Sequence, residues 1–174
     1  MKICLTANSG GHLNEILQIR KFLKNHDVFY ITDKTKMTEA IKKHEKVYFV
    51  QKFIIRELIR KLKIIAPILN LLQSMKIYFK EKPNLIITTG AGTSFGIWLV
   101  GKVLGIKTIF IESTARVNLP STFGNFVGRR SSTVLVQWEN VKRFYPNSIY
   151  AGLIFNINNK PKLKKEKITN IFIT

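Results

Sequence analysis

His12 stands directly behind two glycines, Gly10 and Gly11. An imidazole so placed can donate to a phosphate oxygen or take the proton from an attacking hydroxyl. The preceding Asn8-Ser9 leaves an apolar strand pattern, Ile3-Cys4-Leu5-Thr6-Ala7, and a helical pattern begins after the glycines. Such a turn presents unclaimed backbone N–H groups and the positive end of a helix dipole, and the glycines carry no Cβ to keep an anion away. Ser9, Gly10, Gly11 and His12 are therefore the candidate cradle for a phosphate or diphosphate. A second turn, Thr89-Gly90-Ala91-Gly92-Thr93, ends a later strand and adds hydroxyls to the same kind of backbone. On neighbouring strands the two turns would line one cleft; the plainer alternative is a tight turn whose hydroxyl caps a helix. Glu112 ends another strand, where open sheets place working groups, and Ser113, Thr114 and Arg116 follow it. Its carboxylate could orient a sugar hydroxyl, hold His12 charged, or pair with Arg116 and fix the loop. His12 and Glu112 are the candidate catalytic residues, with Ser113 and Arg116 beside them.

Other chemistries are excluded. Asp33, at the end of the second strand pattern, imitates the acid of dinucleotide sites, but His12, Leu13 and Asn14 follow Gly10-Gly11, so Gly-x-Gly-x-x-Gly is absent. The phosphate-loop signature Gly-x-x-x-x-Gly-Lys-Ser/Thr is missing too. No metal-ligand spacing occurs, and neither metal nor cofactor is expected.

The elements that must carry these turns alternate along the chain. Strand patterns fall at 3–7, 28–31, 47–50, 85–88, 108–111 and 133–136, with helical spacing at 13–23, 35–44 and 52–82. Within the last, Pro67 either kinks one long helix or opens a second. Continuous apolar strands alternating with helices predict an α/β fold, a Rossmann-like open parallel sheet with helices on both faces. That domain spans 1–156; a basic linker, 157–167, and an orphan strand, 168–174, follow. The orphan strand reads as the start of a missing domain, as an edge strand, or as a tail.

The 174 residues carry 29 Lys and Arg against 10 Asp and Glu, a net charge of +19 that seeks polyanions. Nucleic acid is favoured by charge alone, since no helix-turn-helix or RRM pattern is present, and it is not expected as a partner. The single cysteine, Cys4, can form no internal disulfide, and no signal-peptide pattern opens the chain, so a cytoplasmic location is expected. Residues 52–82 hold eight basic side chains against Glu57 and Glu81. On a helix, Ile55, Leu58 and Leu62 share an apolar face while Arg56, Arg60, Lys61 and Lys63 supply basic flanks. This is how a helix lies in an anionic membrane surface; the alternative is an ordinary amphipathic helix packed on the sheet.

Several stretches together resemble a known family: Ser9-Gly10-Gly11-His12-Leu13, Lys82-Pro83-Asn84-Leu85-Ile86-Ile87-Thr88-Thr89-Gly90-Ala91, and Phe110-Ile111-Glu112-Ser113. Arg116 to Gly124, Val136-Gln137-Trp138-Glu139, Tyr145-Pro146 and Ala151-Gly152-Leu153-Ile154-Phe155 complete the set. They resemble the PssD-type capsule and exopolysaccharide proteins, relatives of the Alg14 subunit of the eukaryotic enzyme that adds the second N-acetylglucosamine to lipid-linked oligosaccharide. The resemblance implies the N-terminal half of a split GT-B glycosyltransferase, akin to MurG and bound peripherally to the cytoplasmic face of a membrane. It implies a polyprenyl-diphosphate-sugar acceptor here and a separate donor-binding subunit, the C-terminal half, that holds most of the UDP-sugar site. Carried across, Gly10, Gly11 and His12 match the loop assigned to the acceptor diphosphate, Thr89 to Gly92 the second turn, and Glu112 an acidic residue facing the active site. An accessory subunit that anchors and enhances a catalytic partner is the alternative. The eukaryotic relatives carry an N-terminal membrane anchor that this sequence does not show, so membrane contact would rest on the basic helices.

Overall fold

β1 (Lys2–Ala7) is apolar on both sides because both of its sides are covered. Ile3 and Leu5 pack with Leu13 and Ile16 of α1 (Gly11–Arg20), while Cys4 on the opposite face packs with side chains of the helices below. A computed structural model describes residues 1–54, 65–146 and 148–155. After α1 come β2 (Asp27–Thr32), α2 (Lys36–Lys42), β3 (Lys46–Phe49), α3 (Ile65–Glu81), β4 (Leu85–Gly90) and α4 (Phe95–Val103). β5 (Lys107–Ile111), α5 (Thr122–Val127), β6 (Thr133–Val136) and β7 (Ser148–Tyr150) complete the fold. The seven strands form one sheet in the order β3-β2-β1-β4-β5-β6-β7, and every neighbouring pair is parallel. α1 and α2 cover one face, with Tyr30, Val47, Ile87 and Ile41 in the same cluster. Ile77 of α3, Ile97 and Trp98 of α4, and Phe123 of α5 cover the other. The strand order reverses beside β1, so a crevice opens where β1 and β4 end, the place at which open α/β sheets bind ligands.

Two expectations change. The helix expected from residue 52 is absent at its start: 51–54 are not helical, and α3 begins at Ile65. Pro67 lies in the first turn of α3 as described, where its missing N–H costs nothing. Ile55, Arg56, Leu58, Arg60, Lys61, Leu62 and Lys63 lie outside the described residues, as do 157–167 and 168–174. β7 is an addition, three residues whose Ile149 and Tyr150 are exposed, too short for its period to show.

At the end of the sheet away from the crevice, Glu81 closes α3 with a side chain only 2% exposed. It accepts hydrogen bonds from Lys46 Nζ at 2.9 Å, Lys2 Nζ at 3.2 Å and the Tyr48 hydroxyl, joining α3 to β1 and β3. Burial alone would raise its carboxyl, but the bonds from Tyr48, Lys46 and Lys2 outweigh it and bring the pKa from 4.5 down to about 2. The unfolded carboxyl takes its proton first as pH falls. The stabilisation is therefore complete above pH 4.5 and is lost as pH falls toward 2. Glu81→Gln is expected to cost roughly 2–3 kcal/mol at pH 7, and urea melts of variant and wild type should converge as pH approaches 2. A gap that persists unchanged at low pH would mean the carboxylate charge is not what the cluster uses.

Candidate functional site

The first glycine turn is built to leave its donors free. Gly10 sits at φ 99°, ψ −142°, a conformation only glycine holds without strain, and its carbonyl accepts the Asn14 N–H at 3.0 Å to start α1. Among the described residues no side chain caps α1, and no acid lies in its first turn, so its N-terminal N–H groups are available to an anion. Beyond the neighbouring chain and the helix backbone, a Cβ at Gly10 or Gly11 would meet no atom of the described residues within 4 Å. The turn itself is fixed from outside. Asp33, buried at the end of β2, accepts the Ser9 N–H at 2.6 Å and the Ser9 hydroxyl at 2.7 Å, with Lys52 Nζ 3.5 Å away. Burial would raise this carboxyl, but the two Ser9 bonds and Lys52 hold it below its ordinary value. Asp33 thus serves as scaffold for the cradle.

The second turn is laced to the first. Thr93 N–H donates to Asn8 Oδ1 at 3.0 Å, and Thr89 Oγ1 donates to the His12 carbonyl at 2.9 Å. Gly90 has φ 106°, and Ala91 has φ 76° with ψ 166°, a region that costs a residue bearing a Cβ about 1–3 kcal/mol. Gly92 lies against the Phe53 backbone so closely that a Cβ would fall 1.9 Å from the Phe53 carbonyl oxygen. Asn70 of α3 joins these pieces from below: its Nδ2 donates to Thr93 O at 3.1 Å and Gln51 O at 2.8 Å, and its Oδ1 accepts the Gly96 N–H at 2.9 Å. No hydroxyl caps α4, whose N-cap is Ser94; Ser94 Oγ donates instead to Gly90 O at 3.1 Å. Ser9 to His12 and Thr89 to Thr93 are thereby joined, but Thr89, Gly90, Gly92 and Thr93 are buried, so the second turn braces the first from behind and only Ala91 is partly exposed. His12 is half-buried, with an enclosed Nδ1 that has no hydrogen-bond partner among the described residues.

Glu112 occupies the neighbouring strand tip but is only 1% exposed. Its Oε1 accepts the Ser113 N–H at 3.0 Å; its Oε2 accepts the Ser121 N–H at 3.0 Å, the Ser121 hydroxyl at 3.2 Å and the Tyr145 hydroxyl at 2.5 Å. Burial, and then Glu112 itself, push the Tyr145 hydroxyl well up, so it stays protonated as the donor. Of the three uses open to Glu112, fixing its loop is the one this geometry matches, through Ser121 and Tyr145 in place of Arg116. Arg116 is exposed on that loop and makes no salt bridge among the described residues. Two further residues escape sequence reasoning. Asn70 is a fully buried amide on α3, and Glu15 is an acid between the core residues Leu13 and Ile16 of α1. A polar residue at a core position of a helical pattern was the available signal. Among the described residues no three His, Cys, Asp or Glu side chains gather as metal ligands would.

The all-parallel sheet with two joined glycine turns at its switch point defines the class: a Rossmann-like domain with the fold of one half of the GT-B glycosyltransferase structures it matches. Acinetobacter baumannii MurG matches it with a TM-score of 0.65 at 17% identity, covering 80% of this chain and 42% of that one. A glycosyltransferase from Rickettsia africae ESF-5 matches with a TM-score of 0.66 at 15% identity, covering 98% and 48%. The chain belongs to the family of oligosaccharide biosynthesis proteins like Alg14, whose model matches residues 3–154. It is 29% identical over 181 residues to the human UDP-N-acetylglucosamine transferase subunit ALG14, covering 88% of this chain and 83% of the relative. A second relative is the Aquifex aeolicus UDP-N-acetylglucosamine–N-acetylmuramyl-(pentapeptide) pyrophosphoryl-undecaprenol N-acetylglucosamine transferase. It is 28% identical over 172 residues, covering 95% of this chain and 48% of that protein. The chain thus spans about half the length of that protein.

Proposed function

We propose that this chain is the acceptor-side subunit of a UDP-sugar glycosyltransferase that extends a polyprenyl-diphosphate-linked sugar, with a second subunit supplying the donor site. The observation that carries the proposal is the pair of laced turns at the ends of β1 and β4, with the uncapped α1 N-terminus open to an anion. Family membership supports the substrate class, and the human relative's name as a transferase subunit supports a partner. In the proposed reaction the acceptor hydroxyl attacks the anomeric carbon of the donor sugar, a glycosidic bond forms, and UDP departs with the bonding electrons. Ser9, Gly10 and Gly11 hold the acceptor diphosphate, His12 takes the hydroxyl proton or donates to the diphosphate, and Arg116 adds positive charge nearby. Glu112 and the second turn position these groups.

We place the site at the cytoplasmic face of an anionic membrane, in capsule, exopolysaccharide or lipid-linked oligosaccharide synthesis. Ile65, Ile68, Leu69, Leu72, Met75 and Phe79 form an exposed apolar stripe along α3, and Lys76 and Lys80 lie on the same helix. That composition suits insertion among anionic headgroups. No helix among the described residues is long and apolar enough to cross a membrane.

The test is transfer of radiolabelled sugar from UDP-sugars onto undecaprenyl-diphosphate-sugar, by this chain, its candidate partner, and both together. Transfer only by the pair supports the proposal; full transfer by the partner alone makes this chain an accessory. Gly11→Ala sharpens the result, because the added methyl meets no atom of the described residues within 4 Å beyond the adjoining chain and helix backbone. Stability should move by less than about 0.5 kcal/mol, while transfer by the pair falls at least roughly tenfold as the methyl takes the phosphate's place. Unchanged transfer would remove the diphosphate from this turn.

A further inference from the structure

Glu15 is a buried acid that core packing does not require. Its neighbours on α1, Leu13 and Ile16, are core residues, and its side chain is equally enclosed at 2% exposure. Burying a carboxylate is unfavourable unless donors surround it, and an apolar side chain of similar volume fills such a space as well or better. Glu15 Oε1 does have donors, and all of them come from one short segment. It accepts the Ser113 hydroxyl at 3.0 Å, the Thr114 N–H at 2.9 Å and the Thr114 hydroxyl at 2.7 Å. Oε2 is enclosed with no partner among the described residues. The acid therefore binds the strand tip after β5 to the helix that begins with Gly11 and His12.

From there the hold passes to Arg116. The Arg116 N–H donates to Ser113 O at 2.9 Å, the Ala115 N–H to Ser113 Oγ at 3.3 Å, and Trp138 Nε1 to Thr114 O at 2.7 Å. Glu112 holds the same strap at Ser113 and again at Ser121, so two buried carboxylates pin its ends and Ala115 to Leu119 form an exposed crest. Arg116 is the cation of that crest. Glu15 and His12 are three residues apart on one helix, on the same side, so one residue sets the spacing between the first glycine turn and Arg116.

We propose that Glu15 is a positioning residue, holding Ser113 to Arg116 in register with the His12 turn so that the Arg116 guanidinium and the α1 N-terminus meet the same anion. This rests on the diphosphate role proposed for Ser9 to His12 and adds the second wall of that site.

The test combines amide hydrogen exchange by NMR with titration of inorganic diphosphate into the purified chain, for wild type, Glu15→Gln and Glu15→Ala. Glutamine keeps an oxygen acceptor and should leave Thr114 exchange and diphosphate affinity within about twofold of wild type. Alanine should speed Thr114 exchange by at least roughly thirtyfold while amides of β1 and β4 stay within about threefold. It should also weaken diphosphate roughly five- to tenfold and abolish the shift of the Arg116 amide resonance that diphosphate is expected to cause in wild type. Should Glu15→Ala not fold, Ser113→Ala combined with Thr114→Val removes two of the three donors from the other side and must give the same loss. Thr114 exchange unchanged by alanine overturns the proposal, and so does fast exchange with undiminished affinity, which leaves Glu15 a purely structural staple. If wild type itself shows no diphosphate response at Gly10 to His12, the anion site is wrong and the positioning role falls with it. A wild-type response that Glu15→Ala leaves intact counts against the positioning role alone.

Discussion

Gly92→Ala is expected to lower the melting temperature by roughly 10 °C or more, at a cost of about 3–5 kcal/mol. The new Cβ would lie 1.9 Å from the Phe53 carbonyl oxygen and 2.8 Å from its carbon. Both are backbone atoms, so no side-chain rotation relieves the overlap. The Phe53 segment is also tethered: the Gln51 N–H donates to Gln73 Oε1 at 2.6 Å, and Gln51 O accepts Asn70 Nδ2 at 2.8 Å. Pushing it away pulls on Asn70, which also binds Thr93 O and the Gly96 N–H. Relaxation thus spreads into both the second turn and the start of α4. Gly11 provides the contrast, since its Cβ would meet no atom of the described residues within 4 Å beyond the adjoining chain and helix backbone. Thermal melts of the two alanine variants side by side decide the matter, and equal stability would mean the Phe53 segment does not cover Gly92 in solution.

His12→Ala is expected to reduce sugar transfer by the assembled pair roughly 10²- to 10⁴-fold, the usual share of a general base. Its effect on folding should stay under about 1 kcal/mol, because Nδ1 has no hydrogen-bond partner among the described residues that would be left stranded. His12→Gln separates the two roles open to the imidazole. Glutamine can donate to a diphosphate oxygen but cannot take a proton at neutral pH. Activity near wild type with glutamine assigns His12 to anion binding, whereas loss equal to that of alanine assigns it proton transfer. Full activity in both variants would make the chain an anchoring and enhancing subunit.

The strands that build the crevice were legible because both faces of the sheet are covered. Leu85-Ile86-Ile87 and Ile3-Cys4-Leu5 read as continuous apolar runs, and the glycine turns behind them mark where each strand gives way to a helix. That the two turns meet depends on a strand order that sequence pattern does not encode. The carboxylates were the hardest to read. Asp33 and Glu112 are visible as acids at strand tips, yet their partners Ser9 and Tyr145 are remote in sequence, and Ser121 lies across a loop whose folding no pattern marks. Glu15 lies within one helical turn of His12 and was hidden by its apolar neighbours. The helix expected from 52 does not start there; the pattern predicts it because 52–54 carry the same mix of basic and apolar residues as α3. The non-helical segment is tied at Gln51, whose N–H and carbonyl bond Gln73 and Asn70, about twenty residues away.

The pairing of β1 with β4 also sets a timetable for biosynthesis. Ile3 aligns with Leu85, so the first strand waits 82 residues for the neighbour that completes its second edge. At a translation rate of roughly 5–20 residues per second that interval is roughly 4–16 s. During it β1, β2 and β3 can associate, but one long edge of β1 stays unpaired and the crevice has only one of its two turns. A nascent chain in that state offers a raw strand edge to chaperones or to a second nascent copy. Ribosome-bound intermediates stalled before residue 85 should be the species most prone to aggregate.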